Sequence, residues 1–148
     1  TAHFRAVSRE LAARGGAFER ADPDEYVNAL WNLTKPERAT VDVVLDRLLV
    51  NALIEARSCE RFKLLSERLS DPSLREFYRG LMESEARHYR LFCGLSEELF
   101  GVKLARERLS ELSRREAQVA SKLLLGPKEH TVVRPRSVRP SPLKSPFR

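Results

Sequence analysis

Hydrophobic side chains recur every three or four residues over two long segments of the chain. In the first segment the inward positions are Val41, Leu45, Leu48, Ala52, Glu55, Cys59, Phe62, Ser66 and Leu69. In the second segment they are Leu74, Tyr78, Leu81, Glu85, His88, Phe92, Leu95 and Leu99. This period is that of amphipathic helices, and the sequence has no stretch with the alternation of a β-strand. The pattern therefore predicts an all-α protein.

Residues that start and stop helices divide the chain into five predicted helices. Gly15 ends the first helix, Asp22 with the following Pro23 is the predicted start of the second, and Asp71 caps the fourth. Because only a few residues separate the third helix from the fourth, these two should be antiparallel neighbours in a helix bundle. The predicted helices span residues 2–14, about 23–33, 36 or 40–69, 72–100 and about 103–125.

Composition divides the chain into a helical domain, residues 1–125, and a tail, residues 126–148. The tail contains five of the eight prolines and has no helical period, which predicts disorder. It also carries +5 of the net charge of +6, so the domain itself is not a strongly basic nucleic-acid binder. Two cysteines make no disulfide framework and no apolar run is long enough for a membrane span, so we expect a cytoplasmic protein.

Two glutamates, Glu55 and Glu85, lie within the apolar faces of the two long helices. Glu55 precedes Asp71 by 16 residues and Glu85 follows it by 14. At ~1.5 Å per residue both lie roughly 21–24 Å from the turn, so an antiparallel pair brings them to the same level. His88 is three residues beyond Glu85 and shares its helix face. A Glu facing a Glu-x-x-His is half of the di-iron site of ferritin-like bundles, and its oxygen and nitrogen donors suit iron or manganese.

Other interpretations of these residues remain open from the sequence. Glu85 could pair with an arginine, and His88 could be a hydrogen-bonded core histidine. Cys59 lies one turn from Glu55 and is best explained as a small buried residue. A zinc site made of Cys59, Glu55 and His88 is a further alternative.

The stretches "IEARSCERF", "FYRGL" and "SEARHY" carry a family resemblance. Residues 40–95 closely resemble the bacterial tRNA 2-methylthio-N6-isopentenyladenosine hydroxylases (MiaE-like proteins), and the resemblance extends more weakly from His3 to Ala120. The resemblance implies a ferritin-like non-haem di-iron monooxygenase with two iron ions. Such an enzyme uses O₂ and an electron donor to hydroxylate the isopentenyl group of a hypermodified adenosine next to the tRNA anticodon.

The same resemblance assigns four iron ligands: Glu55, Glu85, His88 and His3, the last from the end of a first Glu-x-x-His motif. It also implies two more carboxylate ligands upstream of Thr1. We therefore expect a partial bundle that lacks its N-terminal helices, and an inactive or partial fragment of the enzyme. The tail does not resemble the end of the family's chains.

Exposed arginines near the predicted site are candidate contacts for tRNA phosphates, although a solvated face of salt bridges explains each of them equally well. The target base would have to leave its stack to reach a site inside the bundle. The alternative function is a non-catalytic helical bundle that binds tRNA or a protein partner. The candidate arginines are Arg57, Arg61, Arg87 and Arg90.

Overall fold

The computed structural model describes residues 2–16, 23–34 and 40–125. This part of the chain contains helices and no strand, so the all-α prediction is confirmed. The predicted tail, residues 126–148, lies outside the described residues. The helices are α1 (Ala2–Ala13), α2 (Glu25–Asn32), α3 (Thr40–Arg68), α4 (Pro72–Phe100) and α5 (Val102–Leu125).

The helices α3 and α4 form the antiparallel hairpin that the sequence predicts. The side chain of Asp71 accepts hydrogen bonds from the backbone N–H of Ser73 at 2.8 Å and of Leu74 at 3.2 Å. Pro72 occupies the first helical turn, where its missing N–H costs nothing. The Cys59 thiol of α3 donates a hydrogen bond to the Met82 carbonyl of α4 at 3.6 Å.

Two predicted details at helix ends are wrong. The N-cap of α2 is Asp24 and not Asp22, because the helix begins at Glu25 and the Asp24 carboxylate accepts a hydrogen bond from the Val27 N–H at 3.1 Å. Asp22 itself lies outside the described residues. Leu99, the last of the inward positions predicted for α4, is 62% exposed. At this end of α4 the packed side is instead the one that carries the fully buried Ser96.

The main hydrophobic core lies between α2, α3 and α5. Its most buried members are Leu30 from α2, Leu49 and Val50 from α3, and Leu112 from α5. Gly101, with φ of 84°, ends α4 in a conformation that favours glycine, and α5 begins at the next residue. This sharp reversal returns α5 along the hairpin and places its apolar face over α3.

A buried ion pair holds α5 against α3. The Arg108 guanidinium donates two hydrogen bonds of 2.6 Å to the Asp46 carboxylate and a third of 2.6 Å to Glu111. At the other end of the bundle, α1 runs antiparallel to α4, with Arg14 donating to Asp71 at 2.8 Å. None of the helices within the described residues is long and apolar enough to cross a membrane.

Candidate metal centre

Glu55 and Glu85, the two glutamates on the apolar faces of the long helices, lie about halfway along the hairpin. Glu55 from α3 and Glu85 from α4 place their carboxyl groups within hydrogen-bonding reach of each other. Glu85 is buried, whereas the Glu55 side chain is 23% exposed. The two residues lie at similar distances from the turn at Asp71, which brings them to about the same level, as their spacing in the sequence indicates.

Two histidines surround this carboxylate pair. His88 lies one helical turn beyond Glu85, and its Nδ1 is 3.0 Å from Glu85 Oε2 and 3.7 Å from Glu55 Oε1. His3, from the first turn of α1, places its Nδ1 3.4 Å from Glu85 Oε1. Its other ring nitrogen lies 2.8 Å from the hydroxyl of Ser84, which orients the ring. The structure thus brings together all four residues that the sequence singled out.

One proton between the two carboxyl groups explains their opposite pKa shifts. Burial, followed by the hydrogen bond and the negative charge of Glu85, raises the pKa of Glu55 to about 7. Burial also opposes the ionisation of Glu85, but hydrogen bonds from Glu55 and His88 outweigh it and lower the pKa of Glu85. A bound cation would replace this shared proton and remove the repulsion between the carboxylates.

The donor atoms fit a metal ion. One ligand atom each from His3, Glu85 and His88 lie within 4.8 Å of one another, and the Glu55 carboxylate adjoins this group. Carboxylate oxygen with imidazole nitrogen is a ligand set that suits iron or manganese. Every residue of the set projects from a helix, so the bundle itself fixes their positions.

Cys59 does not join this group, which argues against the zinc alternative. Its thiol donates to the Met82 carbonyl at 3.6 Å, and burial raises its pKa, with the charge of Glu85 adding to the effect. A thiol held in its protonated form is a poor metal ligand. The interpretation of Cys59 as a small, partly buried residue fits these contacts.

The four candidate arginines have different surroundings. Arg57 donates to Glu116 at 2.6 Å and to Glu60 at 2.7 Å, so its guanidinium is engaged within the bundle. Arg61 donates to the Ser58 hydroxyl at 3.4 Å and is exposed. The other two, Arg87 and Arg90, are exposed on α4.

Sequence reasoning missed a second polar cluster, which includes Arg57, two residues after Glu55. The Tyr26 hydroxyl donates to Glu116 at 2.9 Å, and Arg57 donates to the same oxygen. Burial, followed by the hydrogen bond to Glu116, raises the pKa of Tyr26 to about 12. The available signal was the position of Glu116, four residues after the buried Leu112 on the apolar face of α5.

The chain is similar in sequence to known proteins. A protein-family profile described as tRNA-(MS[2]IO[6]A)-hydroxylase (MiaE) matches residues 1–131. A Salmonella typhimurium protein named tRNA 2-(methylsulfanyl)-N(6)-isopentenyladenosine(37) hydroxylase is 31% identical over 125 residues, which cover 84% of this chain and 43% of the relative. A Pseudomonas putida protein of the same name is 38% identical over 94 residues, which cover 64% of this chain and 44% of the relative. The chain thus spans less than half the length of these two curated relatives.

A solved structure supports the fold. It is described as Protein 43 with aldehyde deformylating oxygenase activity from Synechococcus, and it superposes on this chain with a TM-score of 0.72 and 38% sequence identity. The match covers 79% of this chain and 57% of the other. The predicted ferritin-like helix bundle is therefore confirmed.

Proposed function

Since the chain belongs to the MiaE family of tRNA hydroxylases, we propose that it forms the metal-binding part of a tRNA-modifying monooxygenase. The substrate would be 2-methylthio-N6-isopentenyladenosine in tRNA, and the reaction the hydroxylation of its isopentenyl group. The observation that carries this proposal is the cluster of two carboxylates and two imidazoles at one level of the α3–α4 hairpin.

The proposed metal ligands are Glu55 and Glu85 through oxygen and His3 and His88 through nitrogen. Two iron ions bound there would supply the activation of O₂ that converts an unactivated C–H bond of the isopentenyl group into an alcohol. Glu55 and Glu85 would give up their shared proton on binding a cation. Ser84 holds the His3 ring so that Nδ1 remains directed at the carboxylates.

The reaction consumes more than O₂ and the substrate. One oxygen atom enters the alcohol and the other leaves as water, so two electrons and two protons must be delivered for each turnover. The proposal therefore includes an electron donor as a partner, together with tRNA. It also places the protein in the cytoplasm, where tRNA is found.

For the tRNA contact we favour the exposed arginines of α4. The guanidinium of Arg57 is engaged by Glu116 and Glu60, and a group with two carboxylate partners has little left to offer a phosphate. Arg87 and Arg90 lie on the same helix as Glu85 and His88 and are exposed, as is Arg61 on α3. Phosphate contacts of this kind would orient the tRNA but would not read its sequence.

The alternative function is a helical bundle without redox chemistry. In such a bundle Glu55 and Glu85 would be paired with arginines. Their partners are instead each other and the imidazoles of His3 and His88. Histidine releases its proton easily near neutral pH and then becomes a metal ligand, whereas arginine does not. This difference favours the metal site over a purely structural cluster.

The proposal is tested by metal analysis and by tRNA mass spectrometry. We expect the chain to bind Fe(II) under anaerobic conditions, and Glu85→Gln or His88→Ala to weaken binding by about ten- to a hundredfold. The control is Glu83→Gln, because Glu83 is an exposed acid two residues from Glu85. Iron binding that Glu85→Gln leaves unchanged would contradict the assignment of the ligands.

Because this chain spans less than half the length of its relatives, activity is then measured with the same substitutions in a protein of the relatives' full length. The bacterial host makes the isopentenylated tRNA but lacks the hydroxylase. The expected product is the modified nucleoside with one added oxygen atom, and its formation should require Glu85 and His88. Hydroxylation that persists in Glu85→Gln would contradict the proposed function even if the protein contains iron.

A further inference from the structure

A groove of 410 Å³ opens on the surface of the α3–α4 hairpin beside the carboxylate pair. It is lined by Ala56, Cys59, Glu60, Ala86, Tyr89 and Arg90. Two of these residues, Ala56 and Ala86, directly follow the proposed ligands Glu55 and Glu85 along the chain. The volume falls within the roughly 300–1,000 Å³ that is usual for small-molecule sites.

Cys59 connects the groove with the proposed metal centre. It lines the groove, and it also occupies the helix face of Glu55 one turn further along α3. Its thiol reaches across the hairpin to the Met82 carbonyl. The charge of Glu85 also acts on this thiol, so Cys59 lies close both to the groove and to the carboxylates.

We propose that this groove binds the isopentenyl-bearing adenine of the substrate, with the branched aliphatic chain directed past Cys59 towards the carboxylates. This inference rests on the proposed function and deepens it. The methyl groups of Ala56 and Ala86 leave room for a branched chain and offer it apolar contacts. The Tyr89 ring supplies an aromatic face on which an unstacked base can lie.

The charges at the rim suit a nucleotide. Arg90 is exposed at the edge of the groove and is a suitable donor to a phosphate of the same nucleotide. The only acid of the lining, Glu60, accepts a hydrogen bond from Arg57 at 2.7 Å, which offsets its negative charge. Because the charge of Glu60 is offset in this way, the rim of the groove does not repel an anionic phosphate.

The test compares two free nucleosides, N6-isopentenyladenosine and adenosine, as ligands of the full chain. Calorimetry should show that the prenylated nucleoside binds about tenfold or more tightly, since burial of its aliphatic chain is the difference. Ala86→Leu fills the groove and should remove that advantage. The matched control is Ala117→Leu, the same substitution at an exposed position of α5, which should keep it. Circular dichroism of both variants checks that the helices remain intact.

A second measurement needs no substitution. Iodoacetamide labelling of Cys59, located by peptide mass spectrometry, should slow when the prenylated nucleoside is present and should not slow with adenosine at the same concentration. Equal affinity for the two nucleosides, or labelling of Cys59 that neither nucleoside changes, would overturn the proposal.

Different results would contradict the assignment of the groove and the proposed function. If Ala86→Leu hydroxylates tRNA with the KM and kcat of the parent protein, the groove is not the binding site and the proposed function stands. If the nucleoside binds in an Ala86-dependent manner but no iron-dependent hydroxylation occurs, the groove stands and the proposed function fails.

Discussion

Replacing Glu55 by glutamine tests whether the facing carboxyl groups destabilise the metal-free protein. Burial and the neighbouring Glu85 raise the pKa of Glu55 from 4.5 to about 7. A rise of this size corresponds to roughly 3 kcal/mol at ~1.4 kcal/mol per pH unit. Because solvent reaches part of the Glu55 side chain, screening reduces the expected effect on the free energy of unfolding to about 1–2 kcal/mol.

The direction of the effect follows from proton binding. The folded protein holds the extra proton between the two pKa values of Glu55, so its stability falls as the pH rises from 4.5 through 7. Glutamine retains a hydrogen-bond donor towards Glu85 but cannot ionise. We therefore expect Glu55→Gln to match the parent protein near about pH 5 and to be about 1–2 kcal/mol more stable near about pH 8.

The assay is urea denaturation followed by circular dichroism, in buffer that contains EDTA. Glu67→Gln serves as the control, because Glu67 is an exposed glutamate of the same helix. The experiment is then repeated with Mn(II) in place of EDTA. Metal binding to the folded state should stabilise the parent protein more than Glu55→Gln, which lacks one oxygen ligand, and so reverse their order.

Two results would refute this reasoning. If the parent protein and Glu55→Gln lose stability in parallel as the pH rises, the carboxyl groups do not share a proton in the way the structure indicates. If Glu55→Gln keeps the full gain in stability from Mn(II), then Glu55 is not a ligand.

Three further substitutions test the packing around the site. Asp46→Ala removes the buried carboxylate that accepts two of the three hydrogen bonds of Arg108, and urea denaturation should show a loss of about 3 kcal/mol, against less than about 1 kcal/mol for Glu76→Ala at an exposed pair. Equal losses for these two variants would contradict the importance of burial. Asp71→Ala removes the N-cap of α4 and should cost about 1–2 kcal/mol in thermal melting. Tyr26→Phe should cost about 1 kcal/mol and should eliminate a tyrosinate absorbance step near pH 12; a step that persists would assign that pKa to another tyrosine.

The sequence predicted the parts of the fold that depend on local signals. The α3–α4 hairpin follows from two regular apolar faces and the Asp71 cap, and these need no knowledge of distant contacts. The meeting of Glu55 with Glu85 follows equally, because a short turn fixes the register of the hairpin and therefore the level of every residue on it.

The features that could not be predicted depend on residues far apart in the chain. Asp46 and Arg108 are 62 positions apart, and nothing near either residue in the sequence indicates that they will meet. Their pairing depends on how α5 rotates over α3 after Gly101, which is decided by side-chain packing of the whole core. The exposure of Leu99 has the same origin, since α4 turns its Ser96 side inward at that end.

Three carboxylates are buried within the part of the chain that the structure describes, and they differ in the group that compensates their charge. Asp46 and Glu116 each accept hydrogen bonds from an arginine, which stays charged at any physiological pH, so these clusters are complete as they stand. Glu85 instead faces another carboxylate and two histidines. A cluster built only for stability would gain from an arginine at this level. No arginine is among the contacts of Glu85 that the structure describes. We expect this if the compensating charge comes from a metal ion bound by the four proposed ligands.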